Sequence, residues 1–427
     1  MNQVQPRRSF ARRLLRHLVR FVLTSAVLLG PNIVFYGRWD FPDETLPVVP
    51  SGRDDRVALP GLPARLSDDL LASLRANREH GGLPSMSAAI AFDGKLQWAA
   101  ATGFADIENQ RPATVQSRYR TGSVAKSITA VALMRLMDAG KVTLDAPISQ
   151  YVPDLPLHLL TLTAELLGSH RAGIRHYTII PQWWMGWHEN YSTHNYPSVA
   201  DGLTLFVDDA LRFEPGTGFR YSTFGYSLLA RLMEGASGQA FAQLLDVTVF
   251  QPAGMTATAV DTPSAAPERV AFYQAEGGRY TPSYPINSSY KIAGGGLIST
   301  PSDLVRLGAL LLGDGFVSAA GKKAMWTPLA LADGSMNPEN YAIGWRVDTS
   351  TRMLGDTNPV QIFHHGGAQQ GAAAFIMLVP KYGIAVAAMS NSGSRSARVE
   401  VQEATYALVR RVVQERTGKL HAPEAGE

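Results

Sequence analysis

The sequence of 427 residues contains no cysteine. This absence excludes disulfide bonds, thiolate metal sites and a cysteine nucleophile. No Gly-x-Ser-x-Gly motif occurs, which argues against the nucleophile elbow of an α/β-hydrolase. The central histidines form neither His-Glu-x-x-His nor another recognisable metal spacing, so neither a metal nor another cofactor is predicted. We expect packing or loop roles for His170, His176, His188 and His194.

Charge is also scarce and nearly balanced. Charged residues make up 18% of the chain, and the formal net charge is +3. Basic residues beyond the first twenty positions are mixed with acidic ones, so a nucleic-acid partner is not indicated. The hydrophobic content of 45%, with 39 glycines and 26 prolines, is typical of a loop-rich globular enzyme with one large core or two smaller ones.

The N-terminus has arginines but no acidic side chain before Asp40. Several arginines precede an apolar run over residues 21–36, a pattern typical of an export signal or an uncleaved membrane anchor. We therefore predict that residues 1–40 contact the membrane and hold the protein on the periplasmic side of the inner membrane. An arginine-rich start also fits a mitochondrial presequence, which leaves that compartment open. The proline-rich residues 41–66 are predicted as a linker.

Hydrophobic patterning predicts an α+β fold for residues 67–420. Alternating apolar residues predict two strands around an Asp93-Gly94 turn. Further strands are predicted over 341–347, 361–367, 372–380 and 383–390. Helical patterns over 67–80 and 398–416 lie near the two ends of the domain. We expect an antiparallel sheet flanked by these terminal helices, plus a mostly helical subdomain over about 141–290.

A serine and a lysine stand together at the start of a helical pattern that ends at Gly140. Because residues three apart share one face of a helix, the Ser123 hydroxyl and the Lys126 amine can meet. An amine with a depressed pKa can activate the hydroxyl as a nucleophile, whereas the alternative is an ordinary N-cap serine. A second copy of the spacing, Ser288-x-x-Lys291, follows prolines and runs into glycines, so we interpret it as loop.

Three short pieces of sequence carry a family resemblance: Ser123-Val-Ala-Lys126, Tyr221-Ser-Thr223 and His364-His-Gly-Gly367. In this order they resemble the motifs of the serine β-lactamase and penicillin-binding-protein superfamily, on its class C and esterase side. The likeness covers most of residues 85–415. The segments 170–177 and 221–226 resemble the mitochondrial serine β-lactamase-like branch and its bacterial relatives.

The resemblance implies a role for each motif. Ser123 would be the acylated nucleophile and Lys126 its base or orienter, while Tyr221 would activate water or protonate the leaving group. The oxyanion hole would consist of the backbone N–H groups of Ser123 and Gly367. The strand formed by His364, His365, Gly366 and Gly367 would align the substrate.

Two positions depart from the family pattern. Thr223 replaces the asparagine of Tyr-x-Asn, whose amide would contact a substrate carbonyl. His364 replaces a permanent cation, which makes the attraction of a substrate carboxylate dependent on pH. Both changes weaken the case for efficient β-lactam hydrolysis and favour an ester or a peptide.

The sequence therefore predicts a serine hydrolase that acts on a small ester or peptide, D-amino-acid peptides included. Two alternatives stay open. One is a penicillin-binding D,D-peptidase, and the other is a non-catalytic scaffold, because the mitochondrial branch includes a filament-forming protein. The resemblance also leaves oligomers open.

Overall fold

The computed structural model describes residues 17–25, 54–177, 189, 192–263, 268–276, 279–353 and 359–418. Most of the predicted membrane anchor and residues 41–53 of the predicted linker lie outside these ranges. Residues 17–25 are helical (α1) and expose apolar side chains such as Phe21 and Leu23. Within the described ranges, no helix combines the length and apolar composition that a bilayer span requires. Residues 45–176 and 193–427 form one compact unit, and residues 1–44 with 177–192 form another.

The larger unit contains an antiparallel sheet, which has eight strands among the described residues. Its strands are β1 (Asp55–Ala58), β2 (Ser85–Phe92), β3 (Lys95–Asp106), β4 (Arg111–Pro112), β10 (Arg346–Ser350), β11 (Val360–Gln369), β12 (Ala372–Val379) and β13 (Ile384–Ser390). The order is β1-β3-β2-β13-β12-β11-β10, and β4 pairs with β3. Strands from the two ends of the chain meet where Ala88 pairs with Ala388.

The first hairpin shows why this register forms. Asp93 and Gly94 both have positive φ, 53° and 76°, as a two-residue turn between twisted strands requires. Every residue of β2, β12 and β13 is buried, because helices cover both faces of the sheet. The alternation expected of a half-exposed strand is therefore absent from these three, which are rich in alanine and other apolar residues.

Helices from the two ends of the domain cover one face of the sheet. They are α2 (Ala64–His80) and α11 (Arg395–Thr417), and their apolar side chains share a core with the strands. On the other face, α9 (Pro301–Leu312) lies so close to β13 that a Cβ on Gly308 would be 2.7 Å from the Cβ of Ala385. The predicted α+β fold with flanking terminal helices is confirmed.

The remaining helices build the part of the domain that holds the candidate site. They are α3 (Ala125–Asp138), α4 (Ala164–Gly168), α5 (Val199–Leu203), α6 (Thr223–Ser237), α7 (Phe241–Leu245), α8 (Ile292–Gly295) and α10 (Ala319–Trp326). Helix α3 is buried on every side over residues 125–134, so its surroundings fix its position tightly.

Short strands lie among these helices. A three-stranded sheet consists of β5 (Tyr119–Arg120), β9 (Leu297–Ser299) and β6 (Ala259–Val260). A hairpin consists of β7 (Tyr273–Glu276) and β8 (Arg279–Pro282). The predicted helical part over 141–290 therefore also contains β6, β7 and β8.

Three predicted boundaries differ from the structure. The predicted linker contains strand β1, which pairs with β3. Helix α2 begins at Ala64, directly after Pro63 and before the predicted start at residue 67. The strand expected from Tyr341 begins at Arg346, because Gly344 turns the chain with a φ of 75°. A Cβ on Gly344 would be 2.7 Å from the carbonyl oxygen of Lys126, so this turn rests against helix α3.

Candidate active site

Ser123 and Lys126 meet at the start of helix α3. A single 3₁₀ turn, Gly122–Val124, precedes the helix and holds Ser123 partly exposed. The Nζ of Lys126 lies 3.2 Å from the Oγ of Ser123, although the lysine itself is fully buried. The spacing of three residues thus brings together the hydroxyl and the amine that the sequence analysis singled out.

The amine of Lys126 has two further partners. It donates to the Oγ1 of Thr223 over 3.0 Å and to the carbonyl oxygen of Gly294 over 2.7 Å. Burial lowers the pKa of Lys126 well below its ordinary value, and the positive charges of Arg346 and Lys291 lower it further. Burial away from water and nearby positive charges both favour the uncharged form of an amine, which can accept a proton.

Tyr221 lies beside this amine. It precedes Ser222, whose side chain caps helix α6 by accepting a hydrogen bond from the N–H of Gly225. The Nζ of Lys126 is 4.7 Å from the centroid of the Tyr221 ring, and the guanidinium carbon of Arg346 is 5.6 Å from the same centroid. The phenol, the amine and the hydroxyl therefore form one cluster.

Strand β11 packs directly on the turn that carries Ser123. A Cβ on Gly367 would be only 2.0 Å from the carbonyl oxygen of Thr121. A Cβ on Gly122, whose φ is 48°, would be 2.7 Å from the backbone N of Ala368. Only glycine allows this approach, and it brings the backbone of Gly367 next to the N–H of Ser123.

The two adjacent histidines of β11 point to opposite faces, because side chains alternate along a strand. His365 is buried beside the cluster, and its Nε2 is 2.9 Å from the hydroxyl of Tyr341. The Nε2 of His364 instead lies 2.7 Å from a carboxylate oxygen of Asp348, and its ring stacks on Phe375. The position expected to attract a substrate carboxylate is therefore already paired with a carboxylate.

A cleft of about 460 Å³ opens over this cluster. Ser123, Tyr221, His365, Gly366 and Gly367 line it, together with His364 on the α11 side. Arg346 and Arg398 also line it, and the described lining includes no carboxylate. All of the residues proposed from the sequence line this cleft except Lys126 and Thr223, which lie beneath its floor.

Two of the histidines set aside in the sequence analysis contact the segment that carries Tyr221. The Nδ1 of His170 accepts a hydrogen bond from the backbone N–H of Ser222 at 3.2 Å, and the Nδ1 of His176 accepts one from Thr223 at 3.0 Å. His188 lies outside the described residues. Among the residues that the structure describes, no group of histidine and acidic side chains could hold a metal ion.

Sequence reasoning missed Arg346, Tyr341 and His170 as residues of the site. Arg346 follows the Gly344 turn, and Glu339 pairs with its guanidinium. The only local signal was Gly344. A glycine in an apolar segment can indicate a close approach of two backbones, and the approach at Gly344 positions Arg346.

The family of the chain is shown by comparison with known proteins. The family model described as beta-lactamase matches residues 68–410. The chain belongs to the beta-lactamase family. It is 27% identical over 394 residues to the mitochondrial serine beta-lactamase-like protein LACTB of Homo sapiens, with 74% of this chain and 72% of that protein covered.

A second relative and a solved structure extend this result. Esterase EstB of Burkholderia gladioli is 26% identical over 355 residues, covering 74% of this chain and 86% of the esterase. The crystal structure of D-amino acid amidase from Ochrobactrum anthropi SV3, complexed with L-phenylalanine amide, superposes with a TM-score of 0.67 at 22% identity. It covers 83% of this chain and 100% of the amidase chain, and at this identity the likeness concerns the fold. These relatives place the chain in a serine hydrolase superfamily.

Proposed function

We propose that the protein hydrolyses a small ester or peptide through an acyl-enzyme at Ser123. The single observation that carries this proposal is the contact of 3.2 Å between the Lys126 amine and the Ser123 hydroxyl, made by a fully buried lysine. A serine hydroxyl needs an adjacent base to become a nucleophile. Burial and the cations Arg346 and Lys291 favour the uncharged amine, which can act as that base.

The first half of the reaction follows from this contact. Lys126 takes the proton of Ser123 as the serine oxygen attacks the substrate carbonyl, and the C–O bond formed leaves negative charge on the carbonyl oxygen. The backbone N–H groups of Ser123 and Gly367 are proposed to bind that oxyanion. Collapse of the tetrahedral intermediate breaks the bond to the leaving group, which receives its proton from the Lys126–Tyr221 pair.

Deacylation repeats these steps with water as the nucleophile. The same pair removes a proton from water, water attacks the acyl carbon, and the serine oxygen leaves and is reprotonated. Tyr221 and Lys126 share the proton in both halves because their side chains are adjacent. These steps require no cofactor.

The charge of the cleft favours a substrate with a negative group. Arg346 and Arg398 line the cleft as permanent cations, although Glu339 pairs with Arg346 and Asp348 pairs with His364. A short peptide with a free C-terminal carboxylate fits this charge, D-amino-acid peptides included. The name of the relative EstB supports ester hydrolysis by the same site.

The test is covalent labelling by a fluorophosphonate, followed by intact-mass spectrometry. We expect the wild-type protein to gain one probe mass and Ser123→Ala to gain none. Ser288→Ala is the matched control, because Ser288 opens the second Ser-x-x-Lys spacing but is completely buried, so this variant should label like wild type. Labelling of Ser123→Ala would disprove the assignment of the nucleophile.

Turnover then separates the alternatives. Rapid release of p-nitrophenol from p-nitrophenyl acetate, together with cleavage of D-alanyl-D-alanine peptides, would define the ester and peptide activities. A long-lived adduct with a β-lactam would instead indicate a penicillin-binding D,D-peptidase. A wild-type protein that forms no adduct with either probe would indicate the scaffold alternative.

We also propose that the N-terminal segment contacts a membrane. Arginines followed by an apolar run, and the exposed apolar side chains of α1 in residues 17–25, support this proposal. Export to the periplasmic side is the first expectation and a mitochondrial location the second. Cell fractionation with protease protection distinguishes them, and deletion of residues 1–40 should release the protein from the membrane fraction.

A further inference from the structure

Two imidazoles hold the backbone at the start of helix α6, next to Tyr221. The N–H groups of Ser222 and Thr223 point to successive histidines, which lie six residues apart in one loop: His170 accepts from Ser222 and His176 accepts from Thr223. Helix starts leave N–H groups without partners inside the helix, and side-chain oxygens normally satisfy them. Here imidazole nitrogens accept these hydrogen bonds from the N–H groups of two adjacent residues.

The loop from His170 to His176 is anchored to the same segment by further bonds. The carbonyl oxygen of His170 accepts a hydrogen bond from the N–H of Arg220 at 2.9 Å, and the carbonyl oxygen of Arg175 accepts one from the Ser222 hydroxyl at 2.7 Å. Tyr221 therefore lies in a stretch whose neighbours on both sides are bonded to one loop.

His170 keeps its place at a conformational cost. Its φ is +63°, in the left-handed region that is uncommon for residues other than glycine, although histidine adopts it more often than most. Its Nε2 is buried without a hydrogen-bond partner among the described residues. Its ring packs against Tyr221 at a centroid distance of 4.3 Å and against Tyr341 at 4.6 Å. Strain and an unsatisfied donor at one buried residue indicate that the position serves more than packing.

Both imidazoles must be uncharged for this arrangement, because an Nδ1 that carries a proton cannot accept one from a backbone N–H. Burial, helped by nearby cations such as Lys291 and Arg220, lowers the pKa of His176 to about 3. Burial also lowers the pKa of His170 well below its ordinary value. The neutral acceptor is therefore the stable form of each at neutral pH.

We propose that His170 and His176 are positioning residues that hold the Tyr221–Thr223 segment against Lys126 through their Nδ1 atoms. Tyr221 and Thr223 both contact Lys126, so a shift of this backbone would move the phenol and the hydroxyl away from the amine together. The proposal rests on the function proposed above, in which Tyr221 and Lys126 pass the proton.

His176 gives the sharper test, because its backbone is not strained. Asparagine places its acceptor oxygen two bonds beyond Cβ, as the Nδ1 of histidine is, whereas glutamine places it three bonds beyond. We expect His176→Asn to keep kcat for p-nitrophenyl acetate within about threefold of wild type, and His176→Gln to lower it about tenfold with KM changed less than twofold. Equal losses in the two variants, or no loss in either, would overturn the proposal.

Hydrogen exchange gives a readout that does not depend on catalysis. The Thr223 amide should exchange about tenfold faster in His176→Gln than in wild type and remain protected in His176→Asn. His170→Asn, which tolerates the positive φ and keeps the acceptor, should likewise protect the Ser222 amide, whereas His170→Ala should not. If the wild type resists the fluorophosphonate, the proposed function fails, yet exchange still decides whether the two histidines hold this backbone. Unchanged exchange in His176→Gln would refute the holding role itself.

Discussion

Gly367 approaches Ser123 so closely that a Cβ on the glycine would lie 3.2 Å from the backbone N of the serine. The same Cβ would overlap the carbonyl oxygen of Thr121. Any side chain at 367 must therefore push strand β11 away from the turn that carries the nucleophile. This contact supports the proposal that the two residues share an oxyanion hole.

Substituting this glycine should abolish catalysis. We expect Gly367→Ala to slow acylation of Ser123 by about 100-fold or more, because moving strand β11 displaces the proposed oxyanion donor, and losing one such donor costs that much in other hydrolases. The adjacent Gly366→Ala is the matched control, since its Cβ would meet only the Phe375 ring at 3.6 Å. Fluorophosphonate labelling rates, with thermal unfolding as a check of folding, provide the measurement. Similar rates for the two variants would contradict a specific role for Gly367.

Thr223 should act through its hydroxyl and not through its methyl group. The isosteric Thr223→Val removes the acceptor bonded to Lys126, so we expect kcat/KM to fall about tenfold, the worth of one hydrogen bond. Thr223→Ser keeps the hydroxyl and should stay within about threefold of wild type. Steady-state kinetics on p-nitrophenyl acetate would measure both. A serine variant as impaired as the valine variant would point to packing instead.

Arg346 should set the pH at which the enzyme becomes active. In the proposed mechanism activity requires uncharged Lys126, so kcat/KM should rise with pH as this amine loses its proton. The positive charge of Arg346 lowers the pKa of Lys126, so its removal in Arg346→Gln should raise that pKa and move the acidic limb upward by about one pH unit. Arg346→Lys retains the positive charge, so the acidic limb of its pH–rate profile should stay where it is in the wild type. A pH–rate profile that does not shift in Arg346→Gln would exclude this electrostatic role.

Asp261 should stabilise the fold through two arginines. Its buried carboxylate bonds Arg120 at 2.7 Å and Arg269 at 2.8 Å, and the side chains of Arg120 and Asp261 are only 4% and 1% exposed. Asp261→Ala leaves buried positive charge uncompensated, so the free energy of unfolding should fall by about 3–5 kcal/mol. Asp68→Ala, which breaks an exposed pair with Arg56, should cost less than about 1 kcal/mol. Urea unfolding measures the free energy of unfolding of both variants. Equal decreases in the two would contradict the importance of burial for the Asp261 ion pairs.

The parts of the site that the sequence predicted are those with a local geometric rule. Ser123 and Lys126 share a helix face by spacing alone, and the Asp93-Gly94 turn follows from its residue types. The approach of Tyr221 and Gly367 to Ser123 depends on long-range packing, so only the order of the family motifs pointed to it. Strands β2, β3, β11, β12 and β13 were found because apolar runs bounded by turn residues are a local signal too, whereas β1 was predicted as linker and β4 was not predicted.

What the sequence could not provide is the direction of individual side chains. Alternation requires that His364 and His365 face opposite sides of β11, but two adjacent histidines followed by two glycines do not indicate which one packs beside Tyr341. The segment that contains Arg346 has the residue pattern of a continuous strand, so the sequence did not predict the turn at Gly344. The hydrogen bonds from Ser222 and Thr223 to His170 and His176 connect two segments far apart in the sequence. No local sequence pattern predicts such a contact.

The order of strands has a consequence for how the protein is made. A ribosome synthesises β2 and β3 early. Strand β2 can pair on its other side only after β13 has been made near the end of the chain, where Ala388 pairs with Ala88. Until then the first hairpin exposes an apolar edge that favours association with other chains. Premature termination anywhere before residue 384 would therefore leave the sheet without its central strand β13, and β2 would keep an unpaired edge.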